Sequence, residues 1–252
     1  MRLKLKLIIS LFILMYSMLF PVNVEFSFGG GAGSSAEFSY VEFNEPSAWL
    51  SEEGSRTDDG VSASAFLDIG YNFKLQNAGA LSSVSLLLET GYNYYMRIRT
   101  RYKEYPEYRH KFFYHNLILG IMPKLNFDYG ISFGIGAGIL LPLYSKSSKN
   151  NHEVNHGLAG YDYDHIKEFD FEKISYMYKV PIMPYIKLNL EKNFYMSELW
   201  AFKIGANLVY NFGMEFDMDK LKSGSYKYGY DKYKFSSLSF EVFFGFGFGR
   251  PK

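Results

Sequence analysis

The chain has 252 residues, 27 basic and 26 acidic side chains, and no cysteine. A net charge of +1 gives no electrostatic reason to expect nucleic acid as a partner. Without cysteine there is no disulfide framework, no thiolate metal site and no lipid-anchored N-terminal cysteine. The length suits one large β domain. The aromatic content is 23 Tyr and 24 Phe against 2 Trp. Tyrosine and phenylalanine favour strands, and amphipathic rings also collect at membrane interfaces. Composition alone leaves both explanations open.

Residues 1–21 read as a secretory signal peptide. Arg2, Lys4 and Lys6 form a positive start, and residues 7–20 an apolar stretch too short for a comfortable helical span. Cleavage is expected between Phe20 and Val24, with an uncleaved anchor as the rival. Residues 22–252 are then one barrel domain. After Val24 no uninterrupted apolar run reaches about 18 residues, so no second helical span is expected.

From there the hydrophobic period is 2 almost throughout, which is the period of a strand. Eight strands are predicted. The first covers about residues 22–31, with Val22, Val24, Phe26 and Phe28 on one face. The second, about 60–73, sets Val61, Ala63, Ala65, Leu67, Ile69, Tyr71 and Phe73 against Ser62, Ser64, Phe66, Asp68, Gly70 and Asn72. The third is about 82–98 and the fourth about 111–122. The fifth, about 130–144, opposes an aliphatic row to a stripe of Gly134, Gly136 and Gly138. The sixth, about 174–190, contains Pro181 and Pro184, so a bulge is expected there. The seventh is about 199–213 and the eighth about 235–249.

The eighth strand decides which face meets what. Leu238, Phe240, Val242, Phe244, Phe246 and Phe248 alternate with Ser239, Glu241, Phe243, Gly245, Gly247 and Gly249. A soluble barrel would turn the apolar row inward. Here the other row is small or charged, which suits a narrow polar interior with the apolar row against lipid. Short links near 74–81, 123–129 and 191–198 alternate with long polar ones near 34–59, 99–110, 145–173 and 214–234. Short periplasmic turns and long extracellular loops are what outer-membrane barrels have. The predicted fold is therefore an all-β, eight-stranded antiparallel transmembrane barrel of the outer membrane, with lipid as its immediate partner.

Eight strands enclose a space that side chains fill. The inward set contains Glu25, Asp68, Glu89 and Glu241 on strands that become neighbours when the barrel closes. Lys179, Lys187 and Lys203 lie inward on strands six and seven. Buried unpaired charges are costly, so a lumenal ion-pair network is expected, with Glu241 and Lys203 as one pair. A charged conduction path is the alternative.

The signal peptide, the alternation, the unequal connections and the aromatic last strand together resemble the small eight-stranded outer-membrane barrel proteins, which include the opacity-type adhesins. The resemblance is one of architecture and covers nearly the whole mature chain. In many such proteins the last strand ends on a terminal aromatic, whereas here Gly249, Arg250, Pro251 and Lys252 follow Phe248. The resemblance implies a monomeric, non-enzymatic surface protein whose long loops meet a host or other extracellular partner, without a cofactor. A narrow channel or small-molecule uptake barrel is the second expectation.

Two patterns could carry chemistry. His152, Glu153 and His156 match H-E-x-x-H, which in zinc proteases needs both histidines on one helix face. Asn150, Asn151, Asn155 and Gly157 make a poor helix, so a chance match is expected. His115 stands on the fourth strand beside Asn116 with no adjacent serine, as an interfacial residue would. Tyr226, Tyr228, Tyr230 and Tyr233 interleave with lysines, and Arg97, Arg99, Arg101 and Lys103 cluster with Tyr102 and Tyr105. Such groups suit contact surfaces, and equally a barrel wall that rises above the bilayer beside anionic lipid heads.

Overall fold

The computed structural model describes residues 23–43, 56–75, 79–102, 105–149, 168–197, 200–222 and 230–249. Its strands are β1 (Val24–Phe43), β2 (Arg56–Lys74), β3 (Leu81–Tyr102), β4 (Tyr105–Phe127), β5 (Ile131–Lys149), β6 (Glu168–Asp170), β7 (Met183–Tyr195), β8 (Trp200–Asn211) and β9 (Tyr230–Phe248). Every pairing is antiparallel. The order is β4-β3-β2-β1-β9-β8-β7-β5, and β4 pairs with β5 to close the ring. The short β6 lies only on the upper end of β5, at Tyr144, Ser145 and Lys146. Eight strands therefore form the closed barrel, which leaves no open edge in the membrane.

The outer face is apolar over a continuous belt. Leu88, Ile121, Ile135, Leu190, Phe240 and Phe244 are each more than half exposed, while their sequence neighbours turned inward are buried. A soluble protein does not leave an apolar surface of this extent open to water. Among the described residues no helix is long and apolar enough to cross a membrane, so the crossing is made by strands. Aromatic groups mark both rims of the belt. Near the short turns, Trp200 stacks on Phe248 at 5.6 Å and Phe28 packs at a tilt against Phe246 at 5.8 Å. Towards the long loops, His115 packs against Tyr94 at 5.4 Å and Tyr144 at 5.2 Å. Rings at the two membrane–water levels are the girdles of an outer-membrane barrel. The protein is a transmembrane barrel of the outer membrane.

The wall is uneven in height. A tilted strand needs about 9–11 residues to cross the bilayer. β7 and β8, with 13 and 12 residues, do little more than cross. β3 and β4, with 22 and 23 residues, continue far past it. The expected loop over residues 99–110 is thus largely the top of a β3–β4 hairpin, and the expected loop from residue 34 begins as ten residues of β1.

The expected sixth strand is corrected at its start. Residues Phe171–Met177 form a helix, N-capped by Asp170, whose carboxylate accepts from the Lys173 amide at 3.0 Å. The strand begins at Met183, so Pro181 precedes it and Pro184 stands at its first turn of pairing. The β5–β7 register carries no shift, so the expected bulge is absent from that ladder. The bulge falls on β5 instead. His115 faces Tyr144 and Asn116 faces Pro142, which leaves Leu143 as the extra residue.

Two inserted segments complete the wall above β7 and β8. One is the helix with Tyr178 and Lys179; the other runs from Phe212 to Asp217. They are joined by bonds from the Lys179 amide to the Glu215 carbonyl at 3.0 Å and from the Asp217 amide to the Met177 carbonyl at 2.8 Å. The second segment is sewn to β9 through the Phe216 amide and Tyr233 carbonyl at 3.0 Å. The chain leaves β8 at Gly213, whose φ of +67° is open to glycine and where a Cβ would collide with the Phe235 carbonyl.

Candidate functional site in the lumen

The lumen is filled in three layers. The lowest, beside the short turns, is built by four charged side chains. Lys124 Nζ lies 2.8 Å from Glu25 and 3.1 Å from Glu191. Lys203 Nζ lies 3.5 Å from Glu25 and 3.6 Å from Glu191. Two cations and two carboxylates thus alternate around a closed ring. Ser85 donates to Glu25 at 2.5 Å, and Asn72 and Asn126 each donate to Ser83 and Ser85 at 2.8–3.0 Å. All four charges are buried, so their mutual pairing is what makes burial tolerable.

The middle layer is looser. Lys187 Nζ is bonded to Glu89, and Tyr185 Oη donates to the same carboxylate at 3.3 Å. These side chains lie along the inner wall, over the neighbouring strands β5 and β4, because that wall is flat. Tyr185 lies over Gly120 and Gly138, and Lys187 over Gly136, so a Cβ at those positions would meet them. The glycine stripe is a bed for two long side chains. Asp68 accepts from Ser27 at 2.9 Å and Glu241 accepts from Ser64 at 2.8 Å. Between Glu89, Glu241, Lys187, Asn207 and Asn211 there is a cavity of roughly 40 Å³.

The upper layer begins with Arg97, 2.7 Å from Glu37 and 3.2 Å from Asp58, which also donates to Tyr233 at 3.0 Å. Beside it lies an apolar cluster. Ile118, Leu140, Met183, Tyr185 and Phe235 come from the barrel wall, and Phe169, Ile174, Tyr178 and Met214 from β6 and the inserted segments. The inserts therefore do more than patch the wall: they drive apolar side chains into the top of the lumen.

The expected network residues are placed as follows. Glu25, Asp68, Glu89, Lys187, Lys203 and Glu241 all face the lumen and are buried. Glu89 meets Lys187, and Glu25 meets Lys203. The expected Glu241–Lys203 pair does not form, because Lys203 sits one layer lower with Glu25 and Glu191. Lys179 is a correction. It stands outside the barrel, half exposed, 2.6 Å from Glu215. The reason is the helix before it, which removes residue 179 from the strand alternation. Its ammonium is held above the ordinary lysine range, first by the hydrogen bond to Glu215 and then by that carboxylate's charge.

Sequence reasoning missed Lys124, Glu191, Glu37 and Asp58, and it placed Arg97 and Tyr233 among contact-surface or lipid-head groups, whereas both are buried and bonded to each other in the lumen. Lys124 and Glu191 lie just past the residues where the fourth and sixth strands were expected to end. Continuing the period-2 count by one step would have placed both inward. The H-E-x-x-H residues lie outside the described residues. His115 sits in the outer rim, bonded through Nδ1 to Tyr92 Oη and ringed by Tyr94 and Tyr144. Among the described residues no group of three or more histidines, cysteines and acids could hold a metal ion.

No family model and no curated protein sequence matches the chain. Among solved structures it is similar to the neisserial surface protein A, at 8% identity and a TM-score of 0.38, over 88% of this chain and 96% of that one. It is similar to the outer membrane protease OmpT of Escherichia coli at 9% identity and a TM-score of 0.38, over 89% and 95%. The attachment invasion locus protein Ail of Yersinia pestis follows at 11% identity and a TM-score of 0.31, over 87% and 97%. Likeness at this level carries no argument. The class, an eight-stranded outer-membrane barrel, rests on the closed register, the apolar belt and the filled lumen.

Proposed function

We propose that the protein is a non-enzymatic surface barrel whose raised wall and long loops contact a host or other extracellular surface. The uneven wall carries this reading. The bilayer needs about 9–11 residues per strand, yet the β3–β4 hairpin spends 22 and 23. Such a structure is wasted on anchoring and lifts side chains clear of the lipid heads. Tyr40, exposed beside Lys232 at 5.9 Å, is one of the groups so displayed on β1 and β9. Tyrosine with lysine or arginine is suited to protein and glycan contacts. The test is adherence of cells displaying the full chain to epithelial monolayers and matrix proteins. Replacing residues 150–167 or 223–229 by short Gly-Ser linkers is expected to abolish adherence while the barrel still inserts. Unchanged adherence in both would overturn the proposal.

The uptake alternative is disfavoured by the lowest layer, where paired charges occupy the cross-section of the lumen. Negligible conductance in planar bilayers is expected. Sustained ion-selective single-channel currents would promote the channel reading instead.

A further inference from the structure

The barrel wall is interrupted on one side. β5 pairs with β7 as far up as Leu140 and Met183, and with β6 only from Tyr144 and Asp170 onward. Between these two ladders, residues 141–143 of β5 have no backbone partner on that side among the described residues. On its other side β5 stays paired with β4 through Leu141 and Pro142. Tyr144 belongs to the outer aromatic rim, so the gap lies just beneath that rim, in the outer leaflet. Leu143 stands in it half exposed, and Leu141 and Ile182 flank it partly exposed.

Open backbone is costly in hydrocarbon, and the sequence removes the donor from this edge. The Phe212 amide donates to the Pro184 carbonyl at 2.9 Å, so Pro184 turns its backbone to β8. Met183, one residue on, turns its backbone to β5, and its partner Leu140 turns to meet it. By alternation Pro142 faces the same side, and proline has no N–H. The position that would present a donor to the gap is held by the residue that has none.

What lies behind the gap is apolar. Leu140 and Met183 form its lower border and Phe169, opposite Ser145, its upper border. All three belong to the buried cluster that also holds Ile174 and Tyr178. From β9 through β1 to β4, ladders of paired strands separate the lipid belt from the lumen. At this gap the belt and the lumenal cluster adjoin.

We infer that the gap is a lateral seat for one hydrocarbon tail of an outer-leaflet lipid, which enters between β5 and the β6–helix insert and packs against Leu140, Met183 and Phe169. The belt is the lipid interface of the barrel and the gap continues it inward, so the occupant comes from the bilayer. The inner surface is apolar, so the seat takes the tail and leaves the polar end at the rim beside Tyr144. The movable border is the insert, which meets β5 only at Tyr144, Ser145 and Lys146. The lower plug stays closed throughout, so the seat is a blind recess and not a path across the membrane.

The test uses the full chain folded into phosphatidylcholine vesicles, with part of the lipid carrying a diazirine midway along one tail. After irradiation the adducts are mapped by mass spectrometry of peptides. Exposed belt residues such as Leu188 and Phe240 take up label in any case. Adducts are expected also at Leu140, Met183 or Phe169, which are buried. Adducts confined to exposed residues would overturn the seat. The chain has no cysteine, so an engineered pair is unambiguous. Tyr144→Cys with Asp170→Cys places two thiols on directly opposed residues of β5 and β6, at a separation that a disulfide spans. Oxidation should cut the buried adducts at least severalfold and leave the belt adducts unchanged, and reduction should restore them. Buried adducts undiminished in the oxidised pair would mean that tails reach the cluster by another route, and would overturn the insert as the border that admits them.

Discussion

The two ends of the lumen are closed by different means. Beside the short turns the plug is polar and is made entirely by strand residues. Lys124, Glu25, Glu191 and Lys203 stand on four different strands and meet because the register brings them together. Beside the long loops the plug joins the Arg97 ion pairs to an apolar cluster, and a third of that cluster arrives from outside the strands through Ile174, Tyr178 and Met214. The lower plug is therefore part of the membrane-spanning structure: it cannot open without breaking the barrel. The upper plug is a graft on two short strands, and can loosen while the barrel stands. A barrel of this kind is anchored at one end and adaptable at the other, which fits a task performed at the outer surface.

The sharpest way to break this comparison is at Lys124. Its ammonium serves both Glu25 and Glu191, and its side chain is fully buried. Lys124→Ala leaves two buried carboxylates to share Lys203, whose contacts are already longer. The expected cost is about 3–5 kcal/mol, the usual penalty for stranding one side of a buried ion pair. Urea unfolding in lipid vesicles measures it. A cost below about 1 kcal/mol, the level of a surface pair, would mean that the lower plug does not secure the barrel.

The next effect concerns the face rather than the end. Leu208 lies near the middle of β8, exposed to lipid. Leu208→Arg is expected to cost about 2–4 kcal/mol, as charged residues do at mid-bilayer depth. Its neighbour Asn207 faces inward and accepts from Asn189 at 2.8 Å. Asn207→Ala should cost about 1 kcal/mol, the net worth of one hydrogen bond. Equal costs would show that the alternation had been assigned to the wrong faces.

At the upper end, Ile174 is 1% exposed in the centre of the grafted cluster. Ile174→Ala should cost about 2 kcal/mol, at the low end of the range for such truncations because a helix on a connecting segment can settle inward. Its signature is local. Amide hydrogen exchange should speed up across Phe171–Met177 and the segment from Phe212 to Asp217, and stay unchanged around Lys124 and Glu191. Faster exchange at both ends would show that the plugs open together.

What the sequence made legible follows the same division. Where a strand has lipid on one side and a narrow lumen on the other, the period of 2 is imposed by physics, and all eight barrel strands were found that way. The pattern fades once β1 and β2 leave the bilayer. On β2 both rows turn polar there, inward at Asp58 and outward at Asp59, and a continuing strand reads as a loop. On β1 the inward row is polar at Glu37 while Phe38 and Tyr40 keep the outward row aromatic, a signal that was overlooked. Lys124 was missed for a different reason. Pro123 looks like a breaker, yet the register to β5 reads Ile121↔Ala137 before it and Lys124↔Gly134 after it, unshifted. The proline omits a donor without moving the ladder. The helix at Phe171–Met177 was mistaken for strand because Ile174, Ser175, Tyr176 and Met177 alternate. The contrary signal was Asp170, an N-cap one residue ahead of the helix, with Glu172 in its first turn.

The smallest effect distinguishes the two lysines that the alternation had treated alike. Lys187 is buried against Glu89, and Lys187→Ala strands that carboxylate in the lumen. Lys179 is half exposed on a connecting segment, and its pair with Glu215 is reached by water and salt. Lys179→Ala is therefore expected to leave the urea midpoint unchanged, while Lys187→Ala lowers it. The pH dependence has a definite sign. Because the folded-state value of Lys179 is raised, whatever the Glu215 contact contributes is fully present below the ordinary lysine value. It is lost as pH rises through the raised one, so any difference between wild type and Lys179→Ala should vanish in strongly alkaline solution. Added salt should shrink that difference as well, and leave the Lys187→Ala deficit in place. A Lys179→Ala deficit equal to that of Lys187→Ala, and insensitive to salt, would return Lys179 to the lumen and undo the division between a barrel closed by its own strands and loops that lie upon it.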